Sequence, residues 1–466
     1  MEFLQVSSLT TSAETLTGTA GADSFVAVVS AAGATGTTIL PGDILAGGEG
    51  TDTLTISTAG APAAQYTIAA IQTSGIENVM FNAFDTDNTG DGTVLDLTLM
   101  AGVKKVGVAS GSATGDVEVT NAKSIVDVSL SNSAGDFKVS YPAAVTSALL
   151  GDQTQNIALA NVAAGTLTIA GVEVVNVSTS LVSSTLADLV IDDATTLNIT
   201  GDKNLTISAD VDFKDSTSAV AGAIDGTVDA SGLTGKLTIE PNAADNMKIT
   251  GGSANDKFVM GAGMNGYDAI DGGDGVDTIT MDAASITTQF AQTSNVEIVQ
   301  FNASATAIGI DASKVGAANI IVDLNDANDG DSAKLASTIT KADGKTIWVA
   351  KSVEDQADAD DSDGTKLTIT ETVDSTDDTV NIVLSNIGRD LHSATDYFGI
   401  DEIDVATYET VNITANANAL GTNKFNEVET LTATNAKSVT VTGTGSLETV
   451  LSATSTVFKT FDASGL

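Results

Sequence analysis

The hydrophobic pattern of the chain consists mostly of short runs in which apolar and polar residues alternate. Val, Ile and Leu take every second position, with Thr, Ser or Asn between them, in segments such as 196–200, 366–370 and 410–414. A period of two with β-branched residues is typical of β-strands. Helical spacing is scarce and is found weakly at Leu181–Val190 and Ser332–Ile339. The pattern therefore predicts an all-β protein.

The sequence contains two copies of one arrangement. Four pairs of segments match in the same order: 17–25 (TGTAGADSF) with 250–258 (TGGSANDKF), 47–55 (GGEGTDTLT) with 272–280 (GGDGVDTIT), 76–82 (IENVMFN) with 296–302 (VEIVQFN), and 229–233 with 462–466 (both DASGL). Self-similarity of this kind indicates repeated structural units. We therefore expect an N-terminal segment, 1–16, followed by two tandem β-rich repeats, 17–249 and 250–466.

A second motif places a Glu between apolar residues near the strands. It occurs at six positions: Glu77, Glu173, Glu297, Glu409, Glu429 and Glu448. The last three are about 20 residues apart, a spacing that suits one coil of a parallel β-solenoid. The alternative is a series of antiparallel β-sandwich domains. A Glu at equivalent corners of successive coils is expected to accept hydrogen bonds from backbone amides, with metal binding as the alternative.

Charge narrows the possible partners. The chain has 466 residues with 61 acidic and 19 basic side chains, a net charge of −42. So few basic side chains cannot form a phosphate-binding surface, which argues against nucleic acid and anionic lipid as partners. Unless cations bind, the many negatively charged side chains repel one another. Ca²⁺ is the expected cofactor because it binds oxygen ligands, whereas one His and no Cys argue against zinc.

The strongest chemical signal is the pattern Gly-Gly-x-Gly-x-Asp-x-apolar-x. It is complete at 47–55 and 272–280 and partial at 18–26 and 251–259. Glycines permit a tight turn with positive φ, and an Asp together with turn carbonyl groups supplies hard oxygen ligands. The last three residues of each motif are expected to begin a strand. The motif therefore predicts a calcium-binding turn in each repeat.

This motif resembles the calcium-binding nonapeptide of RTX, or hemolysin-type, proteins. In that family the turns stack into a parallel β-roll with calcium between successive turns, which implies side-chain ligands at Asp23, Asp52, Asp256 and Asp277. The candidate ligands in the complete motifs also include Gly47, Glu49, Gly272 and Asp274. The family usually has many contiguous copies, whereas each repeat here has one complete and one partial copy. One or two calcium ions per repeat are therefore expected, and glycine turns without metal remain the alternative.

Nearly the whole chain, taken as two repeats, is similar to modules of bacterial surface-layer and related β-strand-repeat proteins. The similarity is carried by the glycine motifs, by the segment Ile76–Val79 and by the strands that follow it. It implies type I secretion, folding outside the cell on calcium, and self-assembly into a surface array. The first residues, MEFLQ, lack the basic and apolar regions of a Sec signal peptide.

Other acidic segments are further calcium candidates. Residues 85–96 place oxygens at the spacing of a calcium loop, with Asp85, Asp87, Asp91 and Asp96 as the proposed ligands. The densest group of carboxylates is Asp358, Asp360, Asp361 and Asp363. Crowded carboxylates repel one another unless a cation is present. A solvated acidic loop is the alternative in both places.

The sequence lacks the common catalytic motifs. It has no cysteine nucleophile, no His-Glu-x-x-His zinc motif and no Gly-x-Ser-x-Gly elbow around a serine. Trp348 is the single tryptophan, although a polysaccharide-cleaving solenoid usually has an aromatic groove. We therefore expect no enzyme, with a secreted carbohydrate-active enzyme as the least favoured interpretation.

The function predicted from the sequence is that of a calcium-dependent extracellular structural protein. It is expected to form a homopolymer at the cell surface as a surface layer, sheath or filament, with cell-surface polysaccharide as a candidate partner. No apolar run approaches the about 18 residues of a membrane-spanning helix, so insertion into a membrane is not expected. The alternative is the spacer region of a large secreted RTX-type adhesin.

Overall fold

The fold is described from a computed structural model. The structure describes residues 5–30, 36–59, 66–68, 70–84, 92–146, 151–213, 222–243, 245–282, 285–286, 292–302, 309–324, 336–350, 366–371, 373, 376–385, 387, 400–417, 425–453 and 456–466. The chain forms two compact units. Unit 1 consists of Met1–Asp256 with Gly273–Gly275, and unit 2 of Lys257–Gly272 with Val276–Leu466.

Unit 1 is built from short strands. They are β1 (Val6–Ser8), β2 (Thr15–Thr17), β3 (Ser24–Ser30), β4 (Ile44–Ala46), β5 (Thr53–Ala59), β6 (Tyr66–Ile68), β7 (Gln72–Ser74), β8 (Asn78–Phe84), β9 (Thr93–Asp96), β10 (Lys105–Gly111), β11 (Val117–Thr120), β12 (Asp127–Ser131), β13 (Phe137–Val139), β14 (Thr154–Ala160), β15 (Ala163–Ile169), β16 (Val174–Thr179), β17 (Ser184–Val190), β18 (Thr196–Gly201), β19 (Leu205–Asp212), β20 (Gly226–Leu233), β21 (Leu237–Pro241) and β22 (Met247–Thr250).

Unit 2 has the same character and adds a short 3-10 helix, Ala312–Lys314. Its strands are β23 (Lys257–Gly261), β24 (Ala269–Asp271), β25 (Thr278–Asp282), β26 (Ser285–Ile286), β27 (Thr293–Ser294), β28 (Ile298–Asn302), β29 (Gly309–Asp311), β30 (Asn319–Asp323), β31 (Ala336–Thr340), β32 (Thr346–Ala350), β33 (Lys366–Ile369), β34 (Thr379–Ser385), β35 (Ile400–Asp404), β36 (Thr410–Asn416), β37 (Phe425–Thr432), β38 (Ser438–Gly443), β39 (Ser446–Ser452) and β40 (Thr460–Gly465).

Strands that alternate along the chain belong to different sheets. In unit 1 one sheet has the order β1-β3-β5-β8-β10-β12-β14-β16-β18-β20-β22, a second has β6-β9-β11-β13-β15-β17-β19-β21, and a third has β2-β4-β7. In unit 2 the orders are β23-β25-β28-β30-β32-β34-β36-β38-β40, β26-β29-β31-β33-β35-β37-β39, and β24-β27. Each sheet therefore takes one strand from each successive turn of the chain.

Neighbouring strands run parallel, as in β3 with β5 and β36 with β38. A chain that returns to the same sheet in the same direction after each turn is a parallel β-solenoid. The all-β, solenoid prediction is confirmed, and the alternative of antiparallel sandwiches is wrong. Hydrogen bonds between equivalent corners join residues 20 to 31 positions apart, so the coil length varies and some coils are longer than the 19- to 20-residue spacing predicted.

The core of each unit is formed by columns of apolar side chains from successive coils. Parallel register places Phe25 beside Leu54, and Leu54 beside Val79, and all three are buried. Burial of one such side chain contributes about 1.5–3 kcal/mol. The residues between them face outward, where a polar column runs through Asp127, Asn156, Asn176 and Asn198 with side-chain hydrogen bonds of 2.9–3.0 Å.

One corner of unit 1 contains a strained leucine. Asn132 and Asn161 stack there with positive φ values of 46° and 59°, and the Asn161 amide donates to Asn132 Oδ1 at 2.8 Å. Leu181 follows in the next coil with φ 61° and a side chain that is 79% exposed. Left-handed φ is tolerated by Asn, whose short polar side chain bonds locally, and costs other residues about 1–2 kcal/mol.

We expect Leu181→Asn to raise the free energy of unfolding by about 1 kcal/mol, because Asn relieves the strain and extends the asparagine column. Urea unfolding of both proteins measures the difference. Leu181→Ala is the matched control, since it removes the exposed side chain but keeps positive φ at a non-glycine residue. Equal stability of the two variants would contradict this explanation.

Candidate metal-binding corners

The two complete glycine motifs form corners that lead directly into strands, as predicted. Asp52 precedes β5 and Asp277 precedes β25. Within the first corner, Gly48 and Gly50 have φ values of 109° and 108°. Side chains rarely adopt this region, so glycine is required at both positions.

The first glycine of each motif is required for a different reason, which is close packing against the next coil. A Cβ atom on Gly47 would lie 1.8 Å from the Gly75 carbonyl oxygen and 2.3 Å from Asp52 Oδ2. In unit 2 a Cβ on Gly272 would lie 1.8 Å from the Asn295 carbonyl oxygen. At the Gly47 corner, a carboxylate oxygen and a carbonyl oxygen of the next coil therefore converge on one small space.

In unit 1 these carboxylates form a continuous series between coils. Asp23 Oδ1 accepts the backbone N–H of Gln5 at 2.9 Å, and Asp52 Oδ1 accepts that of Asp23 at 2.7 Å. Glu77 Oε2 then accepts the backbone N–H of Asp52 at 2.9 Å. Each acidic side chain thus satisfies a backbone donor in the preceding coil.

Similar bonds occur in the second copy of the motif. Asp256 accepts backbone N–H groups with both oxygens, from Leu237 at 2.7 Å and from Gly252 at 2.6 Å. Glu297 Oε2 accepts the backbone N–H of Asp277 at 2.8 Å. The sequence match between the two copies therefore extends to their hydrogen bonds.

Asp52 differs from its neighbours because one of its oxygens has no hydrogen bond. Its side chain is fully buried, and Oδ2 has no hydrogen-bond partner. Burial raises the pKa of Asp52, and the negative charges of Glu77 and Asp23 raise it further. In contrast, the backbone N–H of Thr19 lowers the pKa of Asp23 against the opposing effect of burial. A charge at Asp52 is therefore poorly stabilised by the protein alone.

These donors suit Ca²⁺ at the Gly47 corner. Asp52 Oδ2 and the turn carbonyl of Gly75 are hard oxygen donors, which Ca²⁺ prefers. Asp23 and Asp256 suit it less well, since both oxygens of each already accept backbone or hydroxyl hydrogen bonds. No group of three Asp, Glu or His side chains in the described ranges is arranged to hold a metal.

The remaining predicted ligands of the complete motifs lie apart from this space. Glu49 and Asp274 are exposed at the tips of their turns. Of the four ligands predicted in the loop at 85–96, Asp96 alone lies within the described residues, and Asp85, Asp87 and Asp91 lie outside them. Asp358, Asp360, Asp361 and Asp363 also lie outside the described residues.

Asp96 itself stabilises a turn after β9. Its Oδ1 accepts hydrogen bonds from Thr98 N at 2.8 Å and from the Asn121 amide at 3.1 Å. Although burial acts to raise it, the pKa of Asp96 is lowered because these groups donate to the carboxylate. The local geometry is that of an aspartate-capped turn.

The recurring glutamates accept backbone hydrogen bonds at four of the six positions. Glu173 accepts from Gln153 N at 2.8 Å and Glu409 from Asp378 N at 3.0 Å, as Glu77 and Glu297 do at their corners. This is the structural role that was expected for them. Glu429 and Glu448 instead lie within β37 and β39, where both are exposed.

Replacing Glu77 by alanine is expected to lower the free energy of unfolding by about 1–3 kcal/mol, because it leaves the buried N–H of Asp52 without its acceptor. Glu77→Gln is the control, since its side-chain oxygen can still accept this bond. Urea unfolding in EGTA measures both variants. A loss of equal size in Glu77→Gln would indicate that charge, rather than the hydrogen bond, is the important property.

A matching pair of buried carboxylates, Asp43 and Asp268, was not predicted from the sequence. Both are fully buried. Asp43 accepts from Leu40 N at 2.7 Å and Asp268 from Asn265 N at 2.7 Å, so each closes a turn before a short strand. Asp43 and Asp268 are separated along the sequence by the same number of residues as the two complete glycine motifs. This equal spacing could have identified them as equivalent positions of the two repeats.

No protein-family model and no curated protein matches the sequence significantly. The function is therefore inferred from the residues and their geometry. Within the described residues, no helix has the length and apolar character needed to span a membrane.

Proposed function

We propose that this protein is a non-enzymatic, calcium-dependent structural protein of the cell surface, whose copies assemble into a layer, sheath or filament. One observation carries the proposal: at the Gly47 corner, a buried oxygen of Asp52 without a hydrogen-bond partner lies beside a carbonyl oxygen of the next coil. A cation there compensates the buried charge and joins two coils. The stacked coils supply a scaffold for such an assembly.

The proposed mechanism is linkage between calcium binding and folding. An ion that binds the folded chain alone stabilises it by RT ln(1 + [Ca²⁺]/Kd), about 2.7 kcal/mol per site at 100 times Kd. In a calcium-poor cytosol the chain then stays less folded and suited to type I export. Outside the cell, calcium completes folding and neutralises part of the net charge of −42, which allows acidic copies to approach one another.

Light scattering and negative-stain microscopy, with calcium and with EGTA, test the assembly. Ordered sheets, tubes or filaments that form with calcium and dissolve in EGTA are the expected result, and addition of cell-surface polysaccharide tests that partner separately. A folded protein that stays monomeric with calcium would contradict self-assembly and favour the adhesin spacer. Turnover of a glycan substrate would contradict the non-enzymatic role.

A further inference from the structure

A second acidic region lies in unit 2, away from the glycine motifs. It occupies the turns that connect β31 to β32, β33 to β34 and β35 to β36, which belong to three successive coils. Backbone hydrogen bonds hold these turns together: Ala342 N donates to Thr370 O at 3.0 Å, and Thr410 N donates to Asp378 O at 2.9 Å. The described residues of the three turns therefore lie at one corner of the solenoid.

A tyrosine is buried at this corner without a hydrogen bond to its hydroxyl group. The Tyr408 side chain is only 1% exposed, yet its hydroxyl oxygen has no hydrogen-bond partner. The adjacent Thr407 hydroxyl is also buried and without a hydrogen-bond partner. Buried hydroxyl groups are almost always hydrogen-bonded, because an unmade bond costs the full desolvation of the group.

Carboxylates from the two neighbouring turns act electrostatically on this hydroxyl. Burial raises the pKa of Tyr408, and three carboxylates nearby raise it further: Asp343, Glu371 and Asp378. A fourth carboxylate, that of Glu409, is buried beside it in sequence.

The lysines closest along these coils are engaged elsewhere. Lys341 donates to Asp311 at 2.6 Å, Lys345 donates to two backbone carbonyl groups of the preceding coil at 2.6–2.7 Å, and Lys437 donates to Asp377 at 3.3 Å.

We propose that this corner binds a hard divalent cation, such as Ca²⁺, through the hydroxyl groups of Tyr408 and Thr407 together with neighbouring carboxylates. Oxygen donors of mixed type are those that Ca²⁺ takes. The described carboxylates do not form a ready-made group of three ligands, so the hydroxyl oxygens are needed to complete the set. The site requires neither glycine motif, and it is independent of the function proposed above.

Tb³⁺ is a suitable probe because a tyrosine that contacts the ion transfers excitation energy to it. The wild-type chain is expected to show saturable Tb³⁺ emission on excitation of its aromatic residues, and Ca²⁺ is expected to compete. Tyr408→Phe should lose most of this emission, and Glu371→Gln should weaken binding by about tenfold or more. The matched control is Tyr141→Phe, at a half-buried tyrosine in unit 1, and it should retain the emission.

Thermal unfolding gives a second readout that does not depend on energy transfer. Tyr408→Phe keeps the ring and removes a hydroxyl without a partner, so in EGTA its Tm should equal or exceed that of wild type. Added Ca²⁺ should then raise its Tm less than that of wild type.

Equal Tb³⁺ emission in wild type and Tyr408→Phe, or an equal rise in Tm with Ca²⁺, would overturn the proposal. The Tyr408-dependent emission is expected to persist in Asp52→Asn. Loss of the Tyr408-dependent emission therefore reports on this site alone, and failure of the glycine corners to bind calcium would leave that emission unchanged.

Discussion

Replacing Gly47 by alanine is expected to lower the free energy of unfolding by about 3 kcal/mol, because one added methyl group meets two fixed neighbours. The new Cβ atom would lie 1.8 Å from the Gly75 carbonyl oxygen and 2.3 Å from Asp52 Oδ2. Neither neighbour can move easily, since one is backbone of the next coil and the other is a buried carboxylate. Urea unfolding followed by circular dichroism measures the loss.

Gly316→Ala is the matched control for this prediction. Gly316 is exposed, and its added Cβ would make one contact of ordinary length, 3.7 Å to Thr293 Oγ1. Alanine there should leave stability unchanged or raise it by up to about 1 kcal/mol through the unfolded state. A Gly47→Ala protein as stable as Gly316→Ala would show that the coils do not pack as closely as described.

Replacing Asp52 by asparagine is expected to leave the calcium-free protein as stable as wild type, or more stable, and to remove the stabilisation by calcium at this site. Asn retains the oxygen that accepts the Asp23 N–H, and its amide group faces the Gly75 carbonyl instead of a second negative oxygen. The lost calcium stabilisation is about 2.7 kcal/mol at 100 times Kd. Thermal unfolding with calcium and with EGTA measures both effects.

The stability of wild type and of Asp52→Asn, measured over a range of pH, shows whether ionisation of Asp52 stabilises or destabilises the folded state. Burial, together with Glu77 and Asp23, raises the pKa of Asp52 in the folded state. The folded state therefore binds this proton more tightly than the unfolded state. In EGTA, protonated Asp52 therefore stabilises the folded state. This stabilisation is fully present below the pKa of the unfolded state, about 3.9, and is lost as pH rises through the pKa of the folded state. Asp52→Asn should lack this component of the pH dependence.

Asp43→Asn is the control for a general effect of removing a buried charge. Both oxygens of Asp43 accept backbone N–H groups, from Glu14 at 2.8 Å and Leu40 at 2.7 Å. An amide group cannot accept one of these bonds, so this variant should lose about 1–3 kcal/mol and still respond to calcium. A normal calcium response in Asp52→Asn would contradict the role given to Asp52.

The sequence predicted the strands well where alternation is regular. The segments predicted at 410–414 and 438–442 lie within β36 and β38. It was wrong at Leu181–Val190, where a helix was suggested and strand β17 is found. There a β-bulge shifts the register between Leu186 and Leu189, so two buried leucines are three positions apart and imitate helical spacing.

The candidate site was predictable in composition but not in geometry. Glycine and aspartate spacing identified the corners of Asp52 and Asp277, because each motif leads directly into a strand. Which oxygen is left without a hydrogen bond depends on the register between coils, which sets the partner of every corner amide. Loops of varying length separate the coils, so one-dimensional spacing could not reveal that register or the region around Tyr408.

Calorimetric titration of calcium into the wild-type protein, after removal of bound metal, tests the metal linkage most directly. The predicted result is saturable binding at or below millimolar calcium, as for extracellular calcium modules, and a reduced number of sites in the Asp52→Asn/Asp277→Asn protein. No saturable binding by a folded wild-type protein, or identical titrations of the two proteins, would contradict the linkage.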